Sequence, residues 1–220
     1  RDVAVTGVQT CALPIYRLRA ESYRADAERR QLRETSVDLD SYLASLEMTL
    51  TIAHNEEVDI ARAAQLCQRT NQFNLTTRRR TEADILQLMA NPAIGAFTLR
   101  LSDRFGEHGI VAVVIADVAQ SVMSIDTWVM SCRVFNRQAE EATMAEIVRR
   151  ALARGVEKIV GYYRRTDRNH IVSDLYGRLG FSSQTAGEDD TTWALVPASY
   201  RPVPTMIAVI ESSDDATRSD

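Results

Sequence analysis

Cys132 is the sharpest candidate for nucleophilic chemistry in this sequence, because a thiolate is a strong nucleophile. It stands near the end of the apolar run SIDTWVMSCRVF, Ser124 to Phe135, and such strand ends open onto the crevice where α/β folds bind ligands. Alternation also groups Cys132 with Trp128, Met130 and Val134, the pattern of a small core residue. Its place at the strand end leaves a nucleophile open, while the alternation is what a core cysteine would show. Arg133, on the other face, suits either a phosphate or a surface ion pair. A second constellation is TNQFNLTTRRR, Thr70 to Arg80. Around Phe73 it gathers Asn71, Asn74, Thr76, Thr77 and Arg78, which together offer many hydrogen-bond donors and a bidentate fork. An ordered loop holding polar or anionic groups would use such residues; a solvated turn between helices is the plainer alternative. His54 is a lone histidine at a strand end and reads as structural, and Cys67 sits on an apolar helix face as a core residue would. No Cys/His spacing resembles a zinc site, so no metal is expected here.

These residues need a scaffold, and the composition supplies one. The chain has 220 residues, 45% hydrophobic and 25% charged, enough for one well-buried core. A net charge of -4 and a pI near 5.5 argue against general nucleic-acid binding, since Arg78 to Arg80 is too short for an electrostatic footprint. No apolar stretch approaches bilayer length and the three cysteines are few and scattered, so the expectation is a cytoplasmic protein with reduced thiols and no membrane partner.

Periodicity and punctuation predict the elements. Tyr16 to Arg33 reads as a charged helix, followed by a short helix to Leu46 capped around Ser36 to Asp40. Glu47 to His54 alternates as a strand, and Asn55 to Thr70 is an amphipathic helix with Val58, Ala61, Ala64, Gln65 and Cys67 on one side. Thr81 and Asp84 form a capping box for a helix ending before Pro92. Ala96 to Asp103 and Gly109 to Val118 make an antiparallel hairpin across Gly106 and Gly109, with Ser124 to Phe135 as a third long strand. A helix from Ala139 to Arg154, the strand KIVGYY, a helix from Asn169 to Leu179 and a strand from Thr191 to Val196 complete the order. The pattern specifies an α/β (α+β) fold, with a mixed, mostly antiparallel sheet covered by helices. Asp38 and Asp40 in VDLDSYL have the spacing of a HAD-phosphatase aspartate pair, but no buried strand precedes them and helix capping explains them better.

The run at Thr70, followed in order by LSDRFGEHGIV (Leu101 to Val111), DTWVMSCRVFNR (Asp126 to Arg137) and DLYGRLGF (Asp174 to Phe181), resembles the C-terminal region of FkbH-like, HAD-IIIC family proteins. The resemblance spans Tyr16 to Val196, and the element order resembles the GNAT acyltransferase fold. It implies a helical linker over 16–46 from an upstream HAD domain, a GNAT-like acyltransferase domain over 47–198 and a polar tail over 199–220. Residues 1–15, with Cys11, resemble a translated sequencing adapter and are set aside.

The same resemblance implies a function: loading a glyceryl or related acyl group from an acyl phosphate onto an acyl carrier protein in secondary metabolism. The phosphopantetheine of the carrier would be the acyl acceptor, no cofactor would be tightly bound, and magnesium would belong to the HAD domain. Cys132 would be the nucleophile. Tyr176 occupies the place of a GNAT general acid, although a packed helix aromatic would look the same. Asp103 in SDRFG would orient Arg78 or a substrate hydroxyl, or simply shape the hairpin turn. Arg133, Arg137 and Asn169 would join the Thr70 run in binding substrate, with helix capping an equal account of Asn169; His170 departs from the family pattern. Two alternatives remain. Coenzyme A-dependent N-acyl transfer is one, although the family carries glycines near Asn136 and Gln138, and Glu140 and Glu141 would repel an anion. A non-catalytic module that docks the carrier for the HAD domain is the other.

Overall fold

The computed structural model describes residues 12–54, 58–187 and 189–212; most of the segment resembling an adapter, including Cys11, lies outside them. Two helices open the chain, α1 (Ala12–Thr35) and α2 (Leu39–Ser45). The Asp38 carboxylate caps α2 by accepting from the Ser41 N–H at 2.7 Å, the capping role expected of it. After β1 (Met48–His54) come α3 (Ile60–Arg69) and α4 (Glu82–Met89). Both bonds of the Thr81–Asp84 capping box are present. On α3, Ala63 rather than Ala61 joins Ala64 and Cys67 in the core, and burial pushes the Cys67 thiol up to about 11.

The antiparallel meander follows as β2 (Ile94–Asp103), β3 (Gly106–Ala119) and β4 (Val122–Met130). Then come α5 (Ala139–Ala153), β5 (Lys158–Arg164), α6 (Leu175–Arg178), β6 (Ser182–Ala186), β7 (Asp190–Leu195) and β8 (Ile207–Glu211). The eight strands form one sheet in the order β6-β7-β5-β4-β3-β2-β1-β8. Pairing is antiparallel except for β4 with β5 and β1 with β8, so the mixed, mostly antiparallel α/β sheet is as the sequence indicates. α3 and α4 cover one face through Ala63, Cys67 and Ile85 against Ile110, Val113 and Val129. α5 covers the other, through Met144, Ile147 and Ala151 in the larger cluster with Leu99, Val114 and Trp128.

Three local expectations are corrected. The strand expected to reach Phe135 stops at Met130, because the Ser131 hydroxyl accepts from the Arg133 N–H and starts a 3-10 turn over Cys132–Val134. The helix expected over 169–179 breaks into a 3-10 turn at His170–Val172 and the single turn of α6. The tail expected from residue 199 instead supplies β8, which pairs with β1 from Met48↔Ile207 to Ile52↔Glu211.

β4 and β5 pair only from Val122↔Lys158 to Ile125↔Gly161; beyond that they diverge. Tyr176 fills the base of the divergence, and a Cβ on Gly161 would lie 2.3 Å from its ring. Gly161→Ala is therefore expected to destabilise the chain by about 1–3 kcal/mol, since a buried ring has no room to retreat, as urea denaturation would measure.

Candidate active site

The polar run between α3 and α4 enters the gap between the diverging strands. The Leu75 N–H donates to the Trp128 carbonyl at 3.3 Å and the Met130 N–H to the Phe73 carbonyl at 3.1 Å, while the Arg164 N–H donates to the Leu75 carbonyl at 2.8 Å. Phe73–Leu75 thus bridges β4 and β5 with its own backbone, satisfying groups that the divergence would strand. Phe73 is a core ring against Trp128 and Phe135. Asn74 is buried, and its Nδ2 donates to the Arg78 carbonyl at 3.2 Å. The Thr76 hydroxyl donates to the Asp126 carbonyl at 3.0 Å. Thr77 adopts φ 56°, a costly conformation for a β-branched residue.

Asn169 completes this insertion. Its Nδ2 donates to the carbonyls of Arg164 at 2.8 Å and Asn74 at 3.0 Å, and its Oδ1 accepts from the Thr166 N–H at 2.8 Å. It makes no side-chain cap, so the capping account gives way to a staple between the run and the β5–α6 loop. Arg78 faces Asp126, which Arg80 also reaches at 2.6 Å; it is spent on that pair and does not meet Asp103. Arg79 donates to Asn71 and to the Gln68 carbonyl.

Asp103 lies elsewhere, at the last position of β2 before the turn into β3, with a fully buried carboxylate. Arg29 of α1 grips it through two bonds of 2.7 Å. His108 lies 2.8 Å away, Arg137 3.3 Å away, and the Phe105 N–H donates at 3.0 Å. Burial alone would raise this carboxyl, but the His108 and Arg29 hydrogen bonds outweigh it and hold the group well below the ordinary carboxylate range. Asp103 thus orients Arg29 and Arg137, and the expected bond to Arg78 is absent. Tyr176 is equally remote from solvent at 1% exposure. Burial raises its hydroxyl, which makes no well-formed hydrogen bond. A general acid must touch its substrate, so Tyr176 is placed as the core aromatic.

Cys132 departs most from its alternation. The 3-10 turn rotates it outward, so the thiol is exposed while Val134 takes the core position. The core-cysteine alternative falls with that rotation. The thiol lines a cavity of about 710 Å³ at the carboxyl ends of β4 and β5, where parallel strands diverge and ligands bind. Among the described residues, Arg62, Arg69, Arg133 and Arg168 line it with the carboxylate of Asp167, and Asn71, Ser131 and His170 are among its other polar residues. Asn71 also lines an adjoining cavity of about 280 Å³ with Asn74 and Thr77. The structure therefore brings together Cys132, Arg133 and Asn71, with Asn74 and Thr77 next door. It places Arg137, Asp103 and Tyr176 outside. Arg62, Arg69 and Arg168 escaped the sequence reading. A signal existed for the first two: Arg62, Gln65, Leu66 and Arg69 follow the i, i+3, i+4, i+7 spacing of one helix face, whereas nothing local marks Arg168.

A coenzyme A pyrophosphate would need backbone approach at the start of α5. Asn136 and Gln138 do adopt the left-handed conformation there, at φ 59° and 63°, which glycines adopt without strain. They carry side chains into it, and Gln138 Oε1 is engaged by the Met206 N–H at 2.7 Å. Glu140, buried, and Glu141 follow in the first turn. These residues do not fit a pyrophosphate, and the gap between β4 and β5 beside them is filled by Phe73–Leu75. Burial, with the Glu141 charge adding to it, pushes the Glu140 carboxyl up to about 7. A raised folded-state value means stability lost as pH climbs from the unfolded value of about 4.5 to 7, and none further above. Glu140→Gln is expected to stabilise the chain at pH 8 by on the order of 2 kcal/mol and little at pH 4, in urea denaturation at the two pH values.

No protein-family model matches the chain, and no curated protein matches it. Solved structures do. The chain is 18% identical to the ribosomal-protein-S18-alanine N-acetyltransferase from Escherichia coli over 67% of its length and 94% of that chain, with a TM-score of 0.52. It is 14% identical to Ard1 from Thermoplasma volcanium over 67% and 97% (TM-score 0.52). It is 11% identical to spermidine N-acetyltransferase from Vibrio cholerae in complex with CoA and spermine over 69% and 98% (TM-score 0.51). At these identities the likeness is one of architecture: the chain has the fold of the GNAT acetyltransferases.

Proposed function

We propose that this chain is an acyltransferase working through Cys132, which takes an acyl group from a phosphate-bearing donor and passes it to a phosphopantetheine thiol. The observation that carries this reading is the exposed thiol in a cavity lined by four arginines at the carboxyl ends of β4 and β5. The Cys132 thiolate would add to the acyl carbonyl carbon, the C–O bond to phosphate would break, and the departing phosphate would carry its charge onto the arginines. The acceptor thiolate would then attack the Cys132 thioester, the S–C bond to Cys132 would break, and the thiolate would be restored. The finer reading is a glyceryl group taken from 1,3-bisphosphoglycerate and placed on an acyl carrier protein, with a HAD-type domain as a further partner.

A second reading is coenzyme A-dependent N-acyl transfer. A neighbour of the same fold in complex with CoA and spermine favours it; the side chains at Asn136 and Gln138, where a pyrophosphate would approach, count against it. One experiment separates the readings. The chain is mixed with 1,3-bisphosphoglycerate and holo carrier protein, and intact masses of both are followed over time. A glyceryl adduct that appears on the chain, moves to the carrier and is lost in Cys132→Ala supports the first reading. Micromolar binding of acetyl-coenzyme A in calorimetry, with acetylation of an amine and no adduct on Cys132, would replace it by the second. Carrier loading unchanged in Cys132→Ala would leave a docking role.

A further inference from the structure

A separate cavity lies on the α5 face of the sheet, away from Cys132. It has a volume of about 310 Å³ between α5 and strands β2, β3 and β4, near the lower end of the roughly 300–1,000 Å³ usual for small-molecule sites. Its floor is apolar, built from Phe97, Val114, Met123 and Ile147, and three guanidiniums of α5 and its C-terminus, Arg149, Arg150 and Arg154, stand around it. Glu146 accepts from both Arg149, at 2.7 Å, and Arg150, and Glu211 accepts from Arg149 at 2.7 Å. Arg154 donates to the Pro92 carbonyl at 3.4 Å, and His54 also lines the cavity. Among the described residues, the three guanidiniums stand beside the carboxylates of Glu146 and Glu211.

Arg150 is bonded to Glu146 through Nε, and its guanidinium lies 4.7 Å from the centre of the Phe97 ring, which sets it against the floor; its Nη2 is buried without an acceptor among the described residues. A buried donor left unsatisfied keeps its full desolvation cost. An anionic acceptor would relieve that cost, while an attached hydrocarbon would cover what Phe97, Ala116 and Met123 leave open, at 4%, 7% and 4% of their surface.

We propose that this cavity is a binding site for a small organic monoanion with an apolar body, a medium-chain carboxylate being the simplest case, held by Arg150 and Arg154. The site is independent of acyl transfer at Cys132. Calorimetric titration of the full chain with octanoate, octanamide and octylammonium tests it. Octanoate is expected to bind saturably, with octanamide and octylammonium at least about tenfold weaker, a difference of about 1.4 kcal/mol. Arg150→Gln is expected to remove most of the octanoate affinity. Because that substitution also touches Glu146, a second measurement uses wild type alone: octanoate should shift the NMR signal of the Met123 methyl group. Equal binding of octanoate and octanamide, an unmoved Met123 signal at saturation, or full affinity in a folded Arg150→Gln protein would overturn the proposal.

Discussion

Cys132→Ala is expected to slow carrier loading by about three orders of magnitude or more, the usual scale when a covalent nucleophile is removed and only binding and electrostatics remain. The substitution should leave folding intact, because the thiol is exposed and Val134 fills the adjacent core position. That pairing of a large kinetic effect with unchanged stability is what distinguishes a nucleophile from a packing residue. Rapid-quench measurement of carrier acylation, alongside urea denaturation of the same variant, reads both quantities. Cys132→Ser should retain a trace of the activity, since a hydroxyl has the geometry of the thiol but far less of it is ionised. Neutralising Arg133 or Arg168 should act differently, weakening capture of the phosphate-bearing donor more than the attack itself.

Asp103→Asn is expected to cost about 3–5 kcal/mol of stability, because it strips the counter-charge from Arg29 and Arg137 in a buried site. The pH dependence has a definite sign. A carboxyl held below its ordinary value in the folded state contributes stability that is complete above the unfolded value and is lost as pH falls towards the folded one. Wild type should therefore weaken as pH drops below about 4, and Asp103→Asn should show a shallower acid limb in urea titrations at pH 3, 5 and 7. Arg29 stands on α1, so the same variant should release that helix, read as faster proteolysis between Ala20 and Thr35. Equal acid limbs in the two proteins would mean that other carboxylates set the acid response.

Much of the scaffold is legible because one buried face imposes a period. β1, β2, β3 and β5 alternate or run apolar, and the Thr81–Asp84 box marks α4 on local chemistry alone. The unread strands lack that imprint: β6 is the polar edge SSQTA, and β8 buries only Ile207. The end of β4 was misread for a different reason. Apolar residues continue past Met130, yet the turn capped by Ser131 reverses which of them point inward, so alternation assigns Cys132 to the wrong environment. Partnerships over long sequence separations are beyond any window. Asn169 bonds to Asn74 across 95 positions and Arg29 to Asp103 across 74, and no spacing rule foretells either. The cationic wall around Cys132 was half visible, as a stripe on α3 whose other half comes from the β5–α6 loop.

The insertion of Phe73–Leu75 has a kinetic corollary. With the space between β4 and β5 closed by Phe73–Leu75, the thiol is approached, among the described residues, from the basin it lines. On the reading proposed above, donor and acceptor would have to visit Cys132 in turn, the first leaving before the second arrives. Double-reciprocal plots of rate against one substrate, taken at several fixed levels of the other, should then be parallel rather than convergent.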